Sequence, residues 1–138
     1  MFSTTADHAL RAVLYLGQRP AGLVASATEI AGAIGAPRNY LSKTLHALTR
    51  AGVTTSIPGR GGGFALAVPP HRLTLAQLIA VFDDTETPRR CLLGDQPCAG
   101  DHPCAAHRRW THIRRTHEYA LSSTTIADLI APARPRFR

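Results

Sequence analysis

Apolar residues recur at helical spacing along much of this chain, and most of these stretches lie between a capping signal and a helix breaker. Ala6, Leu10, Val13, Leu14 and Gly17 fall three or four apart, the period of one helix face. They predict a helix from about Thr5 to Leu16, with Thr4-Thr5-Ala6-Asp7 in the form of a capping box. A second box, Ser26-Ala27-Thr28-Glu29, opens a helix that carries Ile30, Ala31 and Ile34 until Gly35 stops it. Pro37 suits the first turn of a third helix, which runs to about Ala51 and ends at Gly52. Leu41, Leu45 and Leu48 form its apolar stripe, while Arg38, Asn39, Ser42, Lys43, His46 and Arg50 take the remaining surface. A short helix, a tight glycine-bearing turn and a longer helix with a basic polar face make the pattern of a helix-turn-helix.

Beyond Gly52 the pattern changes to strands. Val53–Ile57 and Phe64–Val68 flank Pro58-Gly59-Arg60-Gly61-Gly62-Gly63, which reads as a β-wing with a glycine-rich tip. After Pro69-Pro70, Thr74-Leu75-Ala76-Gln77 caps a fourth helix with Leu75, Leu78, Ile79 and Phe82 inward. Gly94, Pro97, Gly100 and Pro103 break any period between Asp83 and Pro103. A long helix resumes at Cys104 with Trp110, Ile113, His117, Ala120 and Leu121 along one side. Ser122–Thr125 interrupts it, and Ile126, Leu129 and Ile130 suggest a last short turn. The fold class is mainly α with a small β-hairpin.

Composition narrows the function. With 138 residues, 44% of them hydrophobic and 18% charged, the chain has the apolar material for one domain and is neither disordered nor collagen-like. No apolar stretch approaches the ~20 residues of a membrane span, and the N-terminus lacks the basic and apolar regions of a signal peptide, so a cytoplasmic location is expected. Sixteen Lys and Arg against nine Asp and Glu give a net charge of +7, which points to a polyanion, nucleic acid before a membrane surface. Between Arg19 and Arg72 six basic residues face one acid, Glu29. The glycine-rich tip is not a phosphate loop, because no Gly-Lys-Ser/Thr follows and it joins two strands instead of opening a helix.

Cys91, Cys98 and Cys104 are separated by six and five residues, and the chain has no other cysteine. An odd count in a cytosolic chain argues against a disulfide framework, and the clustering points to a shared metal or cluster. Three Cys and one His would also make a tetrahedral zinc site, and spacing alone favours neither. An enzyme with a nucleophilic cysteine is disfavoured, since these cysteines lack a strand–turn–helix setting and a substrate pocket.

The segments TTADHALRAVLYL, EIAGAIGAPRNYLSKTLHALTRAGV, IPGRGGGFALAVPP and LTLAQLIAVFDD, followed by the three cysteines and a Trp-bearing helix, resemble the Rrf-type winged helix-turn-helix transcriptional regulators over roughly residues 1–121. The resemblance implies a winged helix-turn-helix DNA-binding domain over 1–82, a cysteine-rich cluster-binding loop over 83–104, and a dimerisation helix with a basic tail over 105–138. The third helix would enter the major groove of a double-stranded operator, with Thr28, Arg38, Asn39, Tyr40, Ser42, Lys43 and Arg60 at the interface, Tyr40 fitting the core equally well. Arg38 and Asn39 have bidentate chemistry for bases, and Ser42 and Lys43 suit phosphate. Arg60 resembles a minor-groove arginine, although relatives often place it before the first glycine. Cys91, Cys98 and Cys104 would hold an iron–sulfur cluster with a fourth ligand. In one branch that ligand is a histidine on a 2Fe–2S cluster, matched here by His107. In another it is a carboxylate lent by the partner subunit to a 4Fe–4S cluster, matched by Asp7. His102 and His8 are further candidates. The implied function is a homodimeric repressor sensing redox state, nitric oxide or iron. The alternative is a zinc-stabilised or cofactor-free winged-helix regulator.

Overall fold

The computed structural model describes residues 2–83 and 104–130. Helix α1, Thr4–Gly17, starts one residue earlier than its sequence signal suggests. Ser3 is the cap: its hydroxyl accepts the Ala6 N–H at 3.1 Å and its carbonyl accepts the Asp7 N–H at 3.0 Å. The Asp7 carboxylate turns to Arg11, one turn on, at 3.1 Å, so the box expected from Thr4 does not form. Helix α2, Ala27–Ile34, has Ser26 as its cap, as its sequence indicates, and the left-handed Gly35 (φ 71°) as its stop. Helix α3, Arg38–Arg50, has Pro37 at the cap position and not inside the first turn.

Strands β1, Thr54–Ile57, and β2, Gly63–Leu66, are antiparallel, with Thr54 opposite Leu66 and Ile57 opposite Gly63. Ala25 adds a one-residue bridge on the other side of β2, exchanging hydrogen bonds of 2.9 and 2.8 Å with Phe64. This close approach requires Gly63, where any Cβ would run into the Ala25 carbonyl. A 3-10 turn, Pro70–Arg72, leads to α4, Leu75–Ala80, whose capping box between Thr74 and Gln77 is complete. Helix α5, His107–Ser123, and helix α6, Ile126–Ile130, finish the described chain.

Helix α1 is the centre of the packing and touches α2, α3, α4, α6 and β2. Val13, Ile30, Leu41, Leu45, Leu48, Leu78 and Ile126 are its largest fully buried neighbours and members. Helix α5 buries none of its described residues, and Ile113 and Tyr119 stand 56% and 73% exposed. The chain after α5 is nevertheless pinned firmly. Thr74 and Thr125 form an antiparallel bridge, the Leu75 N–H donates to the Thr124 carbonyl at 3.0 Å, and the Ile126 N–H to the Leu73 carbonyl at 2.8 Å. Thr125 and Asp128 then cap α6 reciprocally at 2.9 and 3.2 Å. The Thr125 N–H and hydroxyl together hold the Asp128 carboxyl below its ordinary range. Gly17 lets α6 lie on α1: a Cβ there would already touch Ile130 at 3.4 Å and Ile126 at 3.6 Å.

Ile126 therefore belongs to the core despite its place near the end of the described chain. Ile126→Ala should cost about 2–5 kcal/mol, the range for a fully buried large-to-small change, measured by urea unfolding at neutral pH. A loss below about 0.5 kcal/mol, the size of a surface effect, would show that α6 does not pack as described.

Candidate nucleic-acid interface

The buried stripe of α3 fixes what its other faces present. Leu41, Leu45 and Leu48 are fully buried, which leaves Arg38, Asn39, Lys43, His46 and Arg50 exposed and Ser42 half-buried. Thr28 is exposed in the first turn of α2, and Arg60 is exposed at the wing tip between Gly59 and Gly61. Among the described residues Arg38, Lys43 and Arg60 have no carboxylate partner. The one acid in this stretch, Glu29, is engaged elsewhere. Its carboxylate accepts from Arg19 at 2.7 Å and from the Tyr15 hydroxyl at 2.8 Å, with the guanidinium 5.6 Å from the Tyr15 ring centroid. That cluster closes the α1–α2 corner and leaves the α3 surface uniformly cationic and polar.

The wing is tied to α3 along its base. The Val53 N–H donates to the Leu48 carbonyl at 3.0 Å, the Thr49 and Thr54 hydroxyls share a hydrogen bond of 2.8 Å, and His46 stands edge-on to Phe64 with centroids 5.5 Å apart. Tyr40 differs from its neighbours on α3. Its hydroxyl is hydrogen-bonded to that of Thr5 and its ring stands edge-on to His8, with centroids 5.5 Å apart. Sequence spacing gave no sign of the Tyr15–Arg19–Glu29 cluster or of this contact to α1, because both join residues on separate helices.

Cys91, Cys98 and His102 lie outside the described residues. Cys104 and His107 come together at the start of α5: the His107 N–H donates to the Cys104 carbonyl at 3.0 Å, and both residues line one open hollow with Ala105, Arg108 and Arg109. A thiol and an imidazole on one turn are the donor types an iron–sulfur cluster or zinc would take, and the two guanidinium groups suit the negative charge of a thiolate-rich site. The described residues of this hollow therefore fit such a group. Among the described residues no three His, Cys, Asp or Glu side chains gather as a metal site. Asp7 sits in the first turn of α1, paired with Arg11 and 47% exposed. His8 is half-buried, and its Nδ1 is enclosed without a hydrogen-bond partner among the described residues. Asp83, the last described residue before the cysteine segment, clamps the start of α1, accepting from the Ser3 N–H at 3.1 Å and from the Ser3 hydroxyl.

A helix-turn-helix whose second helix has a cationic polar face, followed by a glycine-tipped hairpin, defines a winged-helix DNA-binding protein. The chain belongs to the Rrf2 family, described as iron-dependent transcriptional regulators, whose model matches residues 2–132. It is 36% identical over 132 residues to a protein of Aquifex aeolicus assigned to the HTH-type transcriptional regulators, covering 94% of this chain and 91% of that one. An rrf2-like protein of Rhodobacter capsulatus with the same assignment is 29% identical over 143 residues, covering 98% and 95%. Among solved structures, CymR, the global cysteine regulator of B. subtilis, is similar at 26% identity with a TM-score of 0.80, covering 97% of this chain and 98% of that one. The T. potens IscR shares the fold at 24% identity with a TM-score of 0.73, covering 94% and 85%. The protein is thus a DNA-binding transcriptional regulator of a family of regulators, not of enzymes. No described helix is long and apolar enough to cross a membrane.

Proposed function

We propose that the protein is a homodimeric, cytoplasmic repressor whose grip on a double-stranded operator is set by an iron–sulfur cluster. The observation that carries the DNA-facing half is the α3 surface itself. Its fully buried leucine stripe turns Arg38, Asn39 and Lys43 outward with no carboxylate partner among the described residues. A helix of this kind fits the major groove. Asn39 and Arg38 read base edges, Ser42, Lys43 and Thr28 hold phosphates, and Arg60 carries the wing to the adjacent minor groove.

Cys91, Cys98 and Cys104 would hold the cluster, with His107 completing a 2Fe–2S site or Asp7 of the partner subunit completing a 4Fe–4S site. The pairing of Cys104 with His107 in one hollow favours the first. When bound, the cluster supplies electron exchange and reactivity toward nitric oxide. Arg108 and Arg109 offset the charge of its thiolates, and Asp83 ties the start of the cysteine segment to α1 through Ser3. The second copy would cover α5, whose Ile113 and Tyr119 are otherwise left in water. Two such copies would place their α3 helices on half-sites about one helical turn, or a multiple, apart.

On a duplex selected from a random pool by the native protein, Arg60→Ala should lower the slope of log affinity against log salt by about one unit, whereas Asn39→Ala should keep the slope and relax base preference. Unchanged affinity and preference in both variants would remove α3 and the wing from the interface. Purified without oxygen, the protein should be coloured and contain iron and sulfide. Replacing any one cysteine should abolish the absorption, and His107→Ala should leave a weakened or altered spectrum. A colourless, zinc-loaded protein would replace the cluster with a structural metal. An intact spectrum in His107→Ala and a lost one in Asp7→Ala would move the fourth ligand to the partner subunit.

A further inference from the structure

Tyr40 lies between Asn39, the residue best suited to read a base, and Leu41, the first buried leucine of α3. It is 39% exposed, and the family resemblance would place it with its neighbours against DNA. Its polar end, however, reaches across to α1. The hydroxyl shares a hydrogen bond with the Thr5 hydroxyl in the first turn of α1, and the ring stands at 78° to the His8 imidazole one turn further along. The start of α3 lacks a side-chain cap, with Pro37 at that position, and Arg38 and Asn39 are both exposed. Leu41, Thr44, Leu45 and Leu48 fix which side of α3 faces the core, and the Tyr40 side chain adds a contact from its first turn to α1 outside that stripe.

We propose that Tyr40 is a positioning residue, one that sets the angle of the first turn of α3 by anchoring it to Thr5 and His8 of α1 and so governs sequence preference without contacting the nucleic acid. The inference rests on the reading that the N-terminal half of α3 faces DNA. Bidentate base contacts tolerate errors of only about 0.5 Å and 10–20° in the supporting frame, so a loosened first turn costs base readout first. Phosphate contacts through flexible Lys and Arg side chains are more tolerant, so binding to any duplex changes little.

The test uses the full chain purified without oxygen, a duplex selected from a random pool by the native protein, and a scrambled duplex of equal length. Tyr40→Phe and Thr5→Ala each remove the shared hydrogen bond. Each should weaken the selected duplex about twofold to tenfold, the effect of one hydrogen bond, and leave the scrambled duplex and the salt slope unchanged. The double variant should be no weaker than the weaker single one, since both act through one contact, and Thr5→Ser should behave as native. Thermal unfolding of each variant checks that the fold is kept, and Thr5→Ala carries the test if Tyr40→Phe is unstable. Native-like selected-duplex affinity in Thr5→Ala overturns the proposal. A salt slope lowered by about one unit in Tyr40→Phe, with both duplexes weakened, also overturns it and makes the hydroxyl a direct phosphate contact. The interface reading fails separately, when Arg38→Ala and Asn39→Ala leave the native preference intact.

Discussion

Burial of the Leu41, Leu45 and Leu48 stripe against the core built on α1 decides most of what this protein can do. Each of these leucines is fully buried, and full burial of one leucine contributes about 1.5–3 kcal/mol. Most of the rest of α3 is polar, so the stripe is its main apolar hold on the domain and fixes which side faces out. Spacing of three and four residues confines the stripe to one edge. Arg38, Asn39 and Lys43 must then lie outside the core. The proposed DNA-facing surface, the wing at the base of α3 and the contact of Tyr40 with α1 are all arranged around this one packed edge.

Helix α1 gives that edge something rigid to pack on. It is clamped at its start by Asp83 on Ser3, joined near its end to α2 through Tyr15, Arg19 and Glu29, and covered by α6 where Gly17 has no side chain. These attachments come from the residue that borders the undescribed cysteine segment, from the helix-turn-helix and from the helix that follows α5. Among the described residues, helix α1 joins Asp83, at the edge of the cysteine segment, to α3.

What could be read in the sequence was the local part. The caps at Ser26 and Thr74, the stop at Gly35, the leucine stripe and the hairpin around the glycine-rich tip each follow from patterns within one short stretch of chain, and the structure has all of them. The misplaced cap of α1 shows the resolution of such rules. Ser3 and Thr4 are both good caps, and only the long-range bond from Ser3 to Asp83, eighty residues away in sequence, favours the first. The bridges Ala25–Phe64 and Thr74–Thr125, the return of α6 onto α1 and the anchoring of Tyr40 were invisible for the same reason. Each joins residues whose spacing along the chain carries no period. The cysteine spacing signalled a shared ligand, but a spacing of six and five residues fits more than one metal, and only a family resemblance pointed to iron–sulfur chemistry.

The central claim is that the occupant of the cysteine site changes the grip of α3 on DNA. The direct measurement is the affinity of one anaerobic preparation for its selected duplex, before and after iron is stripped with a chelator, at a single fixed salt concentration. A coupling of ordinary size shifts that affinity about fivefold or more, with scrambled-duplex binding nearly constant because the phosphate contacts are unaltered. Equal affinity for the selected duplex in the two states, with iron and sulfide loss confirmed, would contradict it.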